Sequence, residues 1–290
     1  MPETDLPVLS VVVPNLNGGA TLPGTLESLF RQDYTGLEVI VVDGGSTDDS
    51  LDVIRGFENR LAWWVSEKDS GQAHAINKGL QRCRGSVVNW LCSDDLLLPG
   101  ALQFVGRFFA DHPETDVLAG AGEVVFEQSP SRNFICRPHA GHLRLLPAYD
   151  GIMQQSCFWR TSLHRRRPLL NESYRYAMDF ELWCYFKSLG AGWTFVPDIL
   201  SRFVISGANK TATGGGDAAA ELERVYRTYT TDRIPLSWWY RRFRYPFERL
   251  LKRDRGMLRR SVLGAFQLCW MLALMPFYGY GRVRYMSWPE

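Results

Sequence analysis

The chain is 290 residues long, with 33 Lys and Arg against 31 Asp and Glu and a formal net charge of +2. That length suits one large α/β domain with an appendage, or two modest domains, and so even a balance gives no global drive toward nucleic acid. Six scattered cysteines, Cys83, Cys92, Cys136, Cys157, Cys184 and Cys269, show neither CxxC nor finger spacing, so neither disulfides nor zinc are expected, and reduced thiols in a cytosolic setting are.

The first residues, Met1-Pro2-Glu3-Thr4-Asp5, are acidic and lack the basic and apolar regions of a signal peptide. Leu9-Ser10-Val11-Val12-Val13 is then a β-branched run stopped by Pro14, and Leu37 to Val42 is a second, stopped by Asp43-Gly44-Gly45-Ser46. Both read as strands buried on two faces. Between them Leu22, Leu26, Leu29 and Phe30 recur at helical spacing behind Thr21, which completes a βαβ unit. Ser50 to Phe57 reads as a helix, Ala62 to Val65 as a strand, Ala73 to Gln81 as a helix and Ser86 to Cys92 as a strand. The alternation predicts a parallel, doubly wound sheet with its ligand crevice at the carboxyl ends of the strands. Polar residues gather at those ends: Asn15 and Asn17, then Asp43, then Asp69, then Asp94 and Asp95. Each alone is an ordinary turn residue, but four such loops in succession point to one crevice.

The fourth strand ends in Trp90-Leu91-Cys92-Ser93-Asp94-Asp95. Two neighbouring carboxylates at a buried strand end repel and cost desolvation. A divalent cation removes that objection. Oxygen donors suit Mg²⁺ or Mn²⁺, which bind one or two protein carboxylates together with substrate phosphates. The ordinary alternative is an Asp cap in a solvated turn before Pro99. From Val117 the pattern shifts to shorter strand-like pieces, Val117 to Ala121, Val124 to Phe126 and Asn133 to Cys136, an antiparallel extension. A helix from Phe180 to Leu189 and strands at Trp193 to Val196 and Leu200 to Val204 follow. No GxxxxGK[ST] or GxGxxG follows a strand, which excludes a P-loop.

Four segments, Ser10 to Gly18, Val41 to Asp48, Asp69-Ser70-Gly71-Gln72 leading to Ala75-Ile76-Asn77-Lys78-Gly79, and Ser93-Asp94-Asp95, resemble the inverting, nucleotide-sugar-dependent glycosyltransferases of family 2, which have the GT-A fold. The resemblance covers residues 8 to about 105 and returns at Gln155 to Phe158 and Ala177 to Trp183. It implies a Rossmann-like, mostly parallel sheet flanked by helices. It places Pro14, Asn17 and Asp43 on the nucleoside and Asp69, Gln72 and Asn77 elsewhere on the nucleotide sugar. Asp95 would bind the cation, with Asp94 on the ribose or a metal-bound water. Asp179 would be the general base, with Glu181 as the alternative, and Gln155, Glu181 and Trp183 would lie on the acceptor side. At a helix start the dipole would keep Asp179 ionised and ready to accept a proton. The donor implied is a nucleoside diphosphate sugar, UDP by resemblance alone, and the acceptor a cell-envelope glycan or lipid-linked hydroxyl. Three residues depart from the pattern. Gly44 stands where many relatives have a second Asp, Gln154 where a His is common, and Ser206 where a metal-binding His is common. A sugar-nucleotide-binding scaffold and a nucleotidyltransferase are the alternatives, and the Asn15-Leu16-Asn17-Gly18-Gly19 loop carries no cation for the latter.

Ser206 to Asp217 is rich in small residues and reads as a lid or a plain linker. Residues 1–232 form the expected catalytic domain, 1–115 its donor half and 116–232 its acceptor half. From 233 the chain changes. Trp238, Trp239, Tyr240, Phe243, Tyr245 and Phe247 interleave with Arg241, Arg242, Arg244 and Arg249, and Ser261 to Gly281 is free of charge. Cations with aromatics suit an anionic membrane surface, so residues 236–282 are expected to lie at the inner face of the cell membrane. Spanning needs about 20 apolar residues, and Gln267 and Pro276 interrupt this stretch. Docking on the protein or on a second subunit of a homo-oligomer and a true span are the other readings, and nucleic acid is not an expected partner.

Overall fold

The computed structural model describes residues 6–148, 150–166, 169–206, 210, 215–232, 239, 242 and 257–278. Strand β1 (Leu9–Asn15), helix α1 (Leu22–Phe30), β2 (Leu37–Asp43), α2 (Ser50–Phe57), β3 (Trp63–Ser66), α3 (Gln72–Leu80) and β4 (Val87–Trp90) follow in the order the sequence predicts. The second half contains β5 (Leu96–Leu97), α4 (Ala101–Asp111), β6 (Val117–Phe126), β7 (Phe134–Cys136), α5 (Ala140–Leu145), β8 (Cys157–Arg160), α6 (Met178–Ser188), β9 (Trp193–Ile205) and α7 (Gly215–Tyr229). All the strands join one sheet in the order β3-β2-β1-β4-β8-β6-β9-β5, with β7 beside β6. Strands β1 to β4 pair in parallel throughout, and β5 runs antiparallel to β9. Beyond it, β8 runs antiparallel to both β4 and β6, while β6 and β9 pair in parallel, so the extension is mixed.

Side chains alternate faces along a strand, and the two faces carry separate cores. Val12, Ile40, Val42, Val88 and Trp90 pack with Ile76 of α3 and with Phe180, Leu182, Trp183 and Phe186 of α6. Val11, Val13, Val39, Val41 and Val87 pack on the other face with Leu22, Leu26 and Leu29 of α1, Ile54 of α2, and Leu102, Val105 and Phe109 of α4. Helices on both faces leave only the strand ends for a ligand.

Two sequence readings change. Trp193 to Ile205 is one strand, and Pro197 lies where its register with β6 shifts after Ala119; a residue with no N–H to donate falls in a bulge. Helix α4, not anticipated, buries Leu102, Val105 and Phe109 at helical spacing. Of the stretch Ser206 to Asp217, residues 207–209 and 211–214 lie outside the described residues.

Most of the aromatic and basic stretch after 232 is also outside the described residues, apart from 239 and 242. Helix α8 (Met257–Tyr278) buries Trp270 and Leu274 against Trp239, Phe266, Met271 and Tyr278. Trp239 Nε1 donates to the Tyr278 hydroxyl at 2.9 Å. Leu268, Leu272 and Phe277 are exposed. No helix among the described residues is long and apolar enough to cross a membrane.

Trp183 belongs to the core and not to an acceptor surface. It stacks on Trp90 with ring centroids 6.2 Å apart and meets Trp193 edge-on at 5.9 Å. Its Nε1 is buried without a partner. Trp183→Ala should therefore lower the unfolding free energy by about 3–5 kcal/mol. Trp183→Phe, which keeps a ring and removes the orphaned donor, should cost far less in the same denaturant titration.

Candidate active site

Register sets out the donor end of the site. Asn15, Asp43 and Ser66 lie side by side at the carboxyl ends of β1, β2 and β3. Asn15 Nδ2 donates to Asp43 at 2.8 Å and Ser66 Oγ at 2.6 Å, joined by the Ser46 hydroxyl and the Ser46 N–H at 2.9 Å. Burial alone would raise this carboxyl, but the hydrogen bonds from Ser46, Ser66 and Asn15 outweigh it and hold Asp43 below the usual carboxylate range. Asn17 has a left-handed φ of 52°, donates its N–H to Ser46 Oγ at 2.7 Å and accepts the Thr47 N–H at 2.9 Å. Pro14 is buried just before it. Asp69 accepts the Gly71 N–H at 2.8 Å, and a Cβ at Gly44 would fall 2.6 Å from its other oxygen. The Asp69 carboxylate thus stands over the glycine that replaces the relatives' second Asp.

The acidic corner lies beside this network. Asp95 is 1% exposed, and Gln155 Nε2 donates to its Oδ2 at 2.9 Å. Thr25 Oγ1 anchors the Asp95 backbone carbonyl at 2.8 Å. Oδ1 of Asp95 has no hydrogen-bonding partner. Burial, followed by the charge of Asp94, pushes the Asp95 carboxyl well up, against the donors Gln155 and Val204. Ligand atoms of Asp94, Asp95 and Cys92 lie within 4.8 Å of one another. An orphaned, buried carboxylate oxygen beside a second carboxylate fits a divalent cation, the species that offsets both the repulsion and the desolvation. The β1–α1 loop closes on this corner, since a Cβ at Gly18 would sit 2.7 Å from Ser93 Oγ.

Asp179 is the second residue of α6, and its Oδ1 accepts the Phe180 N–H at 2.8 Å. Glu221 of α7 takes the N–H groups of Arg175, Tyr176 and Ala177 at 2.8, 2.7 and 3.0 Å, which fixes the turn into that helix. Burial raises the Asp179 carboxyl despite the helix start, so the dipole does not dominate as the sequence suggested. Its neighbour Asp150, which sequence reasoning missed, is pushed up to about 8 by burial and by the charge of Asp179. Burial raises both carboxyls and each charge opposes the other, so Asp150 and Asp179 titrate as a pair that favours holding a proton between them. The Cys92 thiol is raised by burial and by the charges of Asp95, Asp94 and Asp179, which puts Asp179 within electrostatic reach of the acidic corner.

Other sequence candidates have different occupations. Gln155, expected on the acceptor side, holds Asp95, and Gln154 donates to the Trp90 carbonyl at 2.7 Å behind it. Asn77, expected on the donor, clamps the chain at Leu170 through bonds of 2.8 and 2.9 Å and reaches Glu172 at 3.0 Å. Glu181 is buried and accepts the Tyr229 hydroxyl at 2.5 Å, which ties α6 to α7. Gln72 bridges Cys92 at 3.1 Å and Lys210 at 2.8 Å. Lys210, a cation within electrostatic reach of Asp69, gives no signal in the sequence, where it stands in a run of small residues that reads as a lid or linker.

Residues 10–159 match the model of glycosyl transferase family 2. The chain belongs to that family. A PGL/p-HBAD biosynthesis glycosyltransferase of Mycobacterium tuberculosis is 31% identical over 179 residues, covering 60% of this chain and 68% of the relative. TarS of S. aureus in complex with UDP-GlcNAc superposes with a TM-score of 0.65 at 19% identity, over 96% of this chain and 90% of that one; its UDP complex matches over 76% of this chain and 64% of that chain. The mannosyltransferase PcManGT of Pyrobaculum calidifontis, in complex with GDP-Man and Mn²⁺, superposes with a TM-score of 0.60 at 18% identity, over 99% and 89%. These likenesses establish the shared GT-A fold, and the family establishes a glycosyltransferase.

The two carboxylates predict opposite behaviour. The contribution of Asp43 to stability is complete above the unfolded carboxylate pKa of about 3.9 and is lost as pH falls through its lower native value. Asp43→Asn should flatten that part of the acid limb of an unfolding-against-pH curve. Asp95→Asn should raise the Tm of the metal-free protein, increasingly as pH rises above the unfolded carboxylate pKa, because the buried carboxyl, pushed up in the fold, must there either take up a proton or carry a charge repelled by Asp94.

Proposed function

We propose that the protein is an inverting glycosyltransferase that moves a sugar from a nucleoside diphosphate donor, UDP-linked, to a hydroxyl of a cell-envelope glycan or lipid-linked acceptor, with Mn²⁺ or Mg²⁺ as cofactor. The observation that carries this reading is the unpartnered, buried Asp95 Oδ1 beside Asp94, with a carboxylate of raised basicity, Asp179, within electrostatic reach of the same corner. The sugar nucleotides bound by TarS and PcManGT support the donor class, and the Mn²⁺ of PcManGT supports the cofactor.

Asp43 and Asn17 meet the nucleoside at the ends of β1 and β2. Asp95, held by Gln155, and Asp94 would hold the cation, which when bound offsets negative charge on the departing diphosphate. Lys210 and Gln72 face the same charge from α3's side of the corner. Asp179 accepts the proton of the acceptor hydroxyl as that oxygen attacks the anomeric carbon from the face opposite the leaving group, so the configuration inverts. Asp150, whose carboxyl is pushed up by burial and by the Asp179 charge, disfavours a second negative charge beside the attacking oxygen. The exposed Leu268, Leu272 and Phe277 of α8 support a peripheral position on the inner face of the membrane, within reach of a lipid-linked acceptor.

Asp179→Asn should reduce turnover by about 10²- to 10⁴-fold and leave nucleotide affinity unchanged, whereas Asp95→Ala should weaken both. Transfer assays with anomeric assignment of the product by NMR read both points. Near-wild-type turnover in Asp179→Asn, or a product of retained configuration, contradicts the mechanism.

A further inference from the structure

The acidic corner contains a ligand atom that an oxygen-bound cation does not call for. Cys92 Sγ lies within 4.8 Å of the ligand oxygens of Asp94 and Asp95, close enough for all three to share one ion after a small adjustment. The sulfur is not left to rotate freely. Gln72 Nε2 donates to it at 3.1 Å, and Lys210 Nζ holds the far end of that amide at 2.8 Å. Asp95 Oδ1, the buried oxygen with no hydrogen-bonding partner, completes the set. Carboxylates suit Mg²⁺ and Mn²⁺, whereas sulfur favours softer ions such as Zn²⁺, and Cd²⁺ is softer still.

We propose that Cys92, Asp94 and Asp95 form a mixed sulfur and oxygen site that captures Zn²⁺ or Cd²⁺ in place of the catalytic cation and so arrests the enzyme. As the ion binds, the thiol proton passes to the buffer and the sulfur lone pair forms the metal bond; no oxidant or reductant takes part. Three protein ligands leave a tetrahedral ion a single position for a diphosphate oxygen, where an octahedral Mg²⁺ held by the two carboxylates keeps several. The inference rests on the cation-site reading of Proposed function and adds that the identity of the metal regulates the site.

The test is a titration of Cd²⁺ into the metal-free full chain, followed by the ultraviolet thiolate-to-cadmium absorption. Cys92→Ser is the variant and Cys269→Ser, at an exposed thiol, the control. The band should rise in the wild type and the control and be absent in Cys92→Ser, with Cys92→Ala in reserve should the serine variant fail to fold. Zn²⁺ should displace Mn²⁺ at a concentration about tenfold lower in the wild type than in the variant. A band that survives loss of Cys92, or equal Zn²⁺ sensitivity, overturns the proposal. Sugar transfer by the wild type with Mn²⁺ alone is measured in parallel. A Cys92-dependent band in a protein that transfers no sugar leaves the sulfur site standing and overturns the catalytic reading instead.

Discussion

The site depends on one uncompensated charge. Asp95 is carried to the end of β4 and buried there, with Gln155 and Val204 as its donors and Oδ1 left without a partner. A buried carboxylate without a counter-charge is costly, and a second one beside it adds repulsion. Such an arrangement lowers the stability of the metal-free fold and persists because the surroundings over-determine it: Thr25 from α1 holds its backbone, Gln155 its side chain, and Gln154 the strand end behind it. Stability given up at this point leaves a corner whose donors fit a divalent cation.

The donor end shows the opposite arrangement. Asp43 is as deeply buried as Asp95, yet five donors surround it, so it stays ionised without any ligand. One carboxylate is satisfied by the fold and presents a rigid platform, while the other is left for a partner. The parallel register of β1, β2 and β3 produces the first condition, because three polar strand ends fall side by side. The turn between β4 and β5 produces the second.

The donor half was readable because each of its signals is local. Val11 to Val13 and Val39 to Val42 are apolar runs that only a doubly buried strand explains, and each ends in its own polar turn. The acceptor half depends on contacts distant in sequence. Gln155 meets Asp95 across 60 positions and Glu221 reaches the start of α6 across 45, and no periodicity marks such pairs. Asp150 went unnoticed because an Asp before a glycine looks like an ordinary turn. Its altered acidity comes from burial next to Asp179, which appears only in the folded chain. Asn77, Glu181 and Trp183 belong to motifs that resemble the family's, and the structure shows them bracing the loops and core that carry the site.

The most direct measurement is a crystal structure of the protein with Mn²⁺ and UDP. The account predicts an ion on Asp95 Oδ1, at a metal–oxygen distance near the 2.0–2.2 Å scale of small divalent cations, with diphosphate oxygens completing its shell and the uracil ring against Asp43. UDP seated with no ion at Asp95, or the Asp94 and Asp95 side chains turned away from the diphosphate, would contradict it.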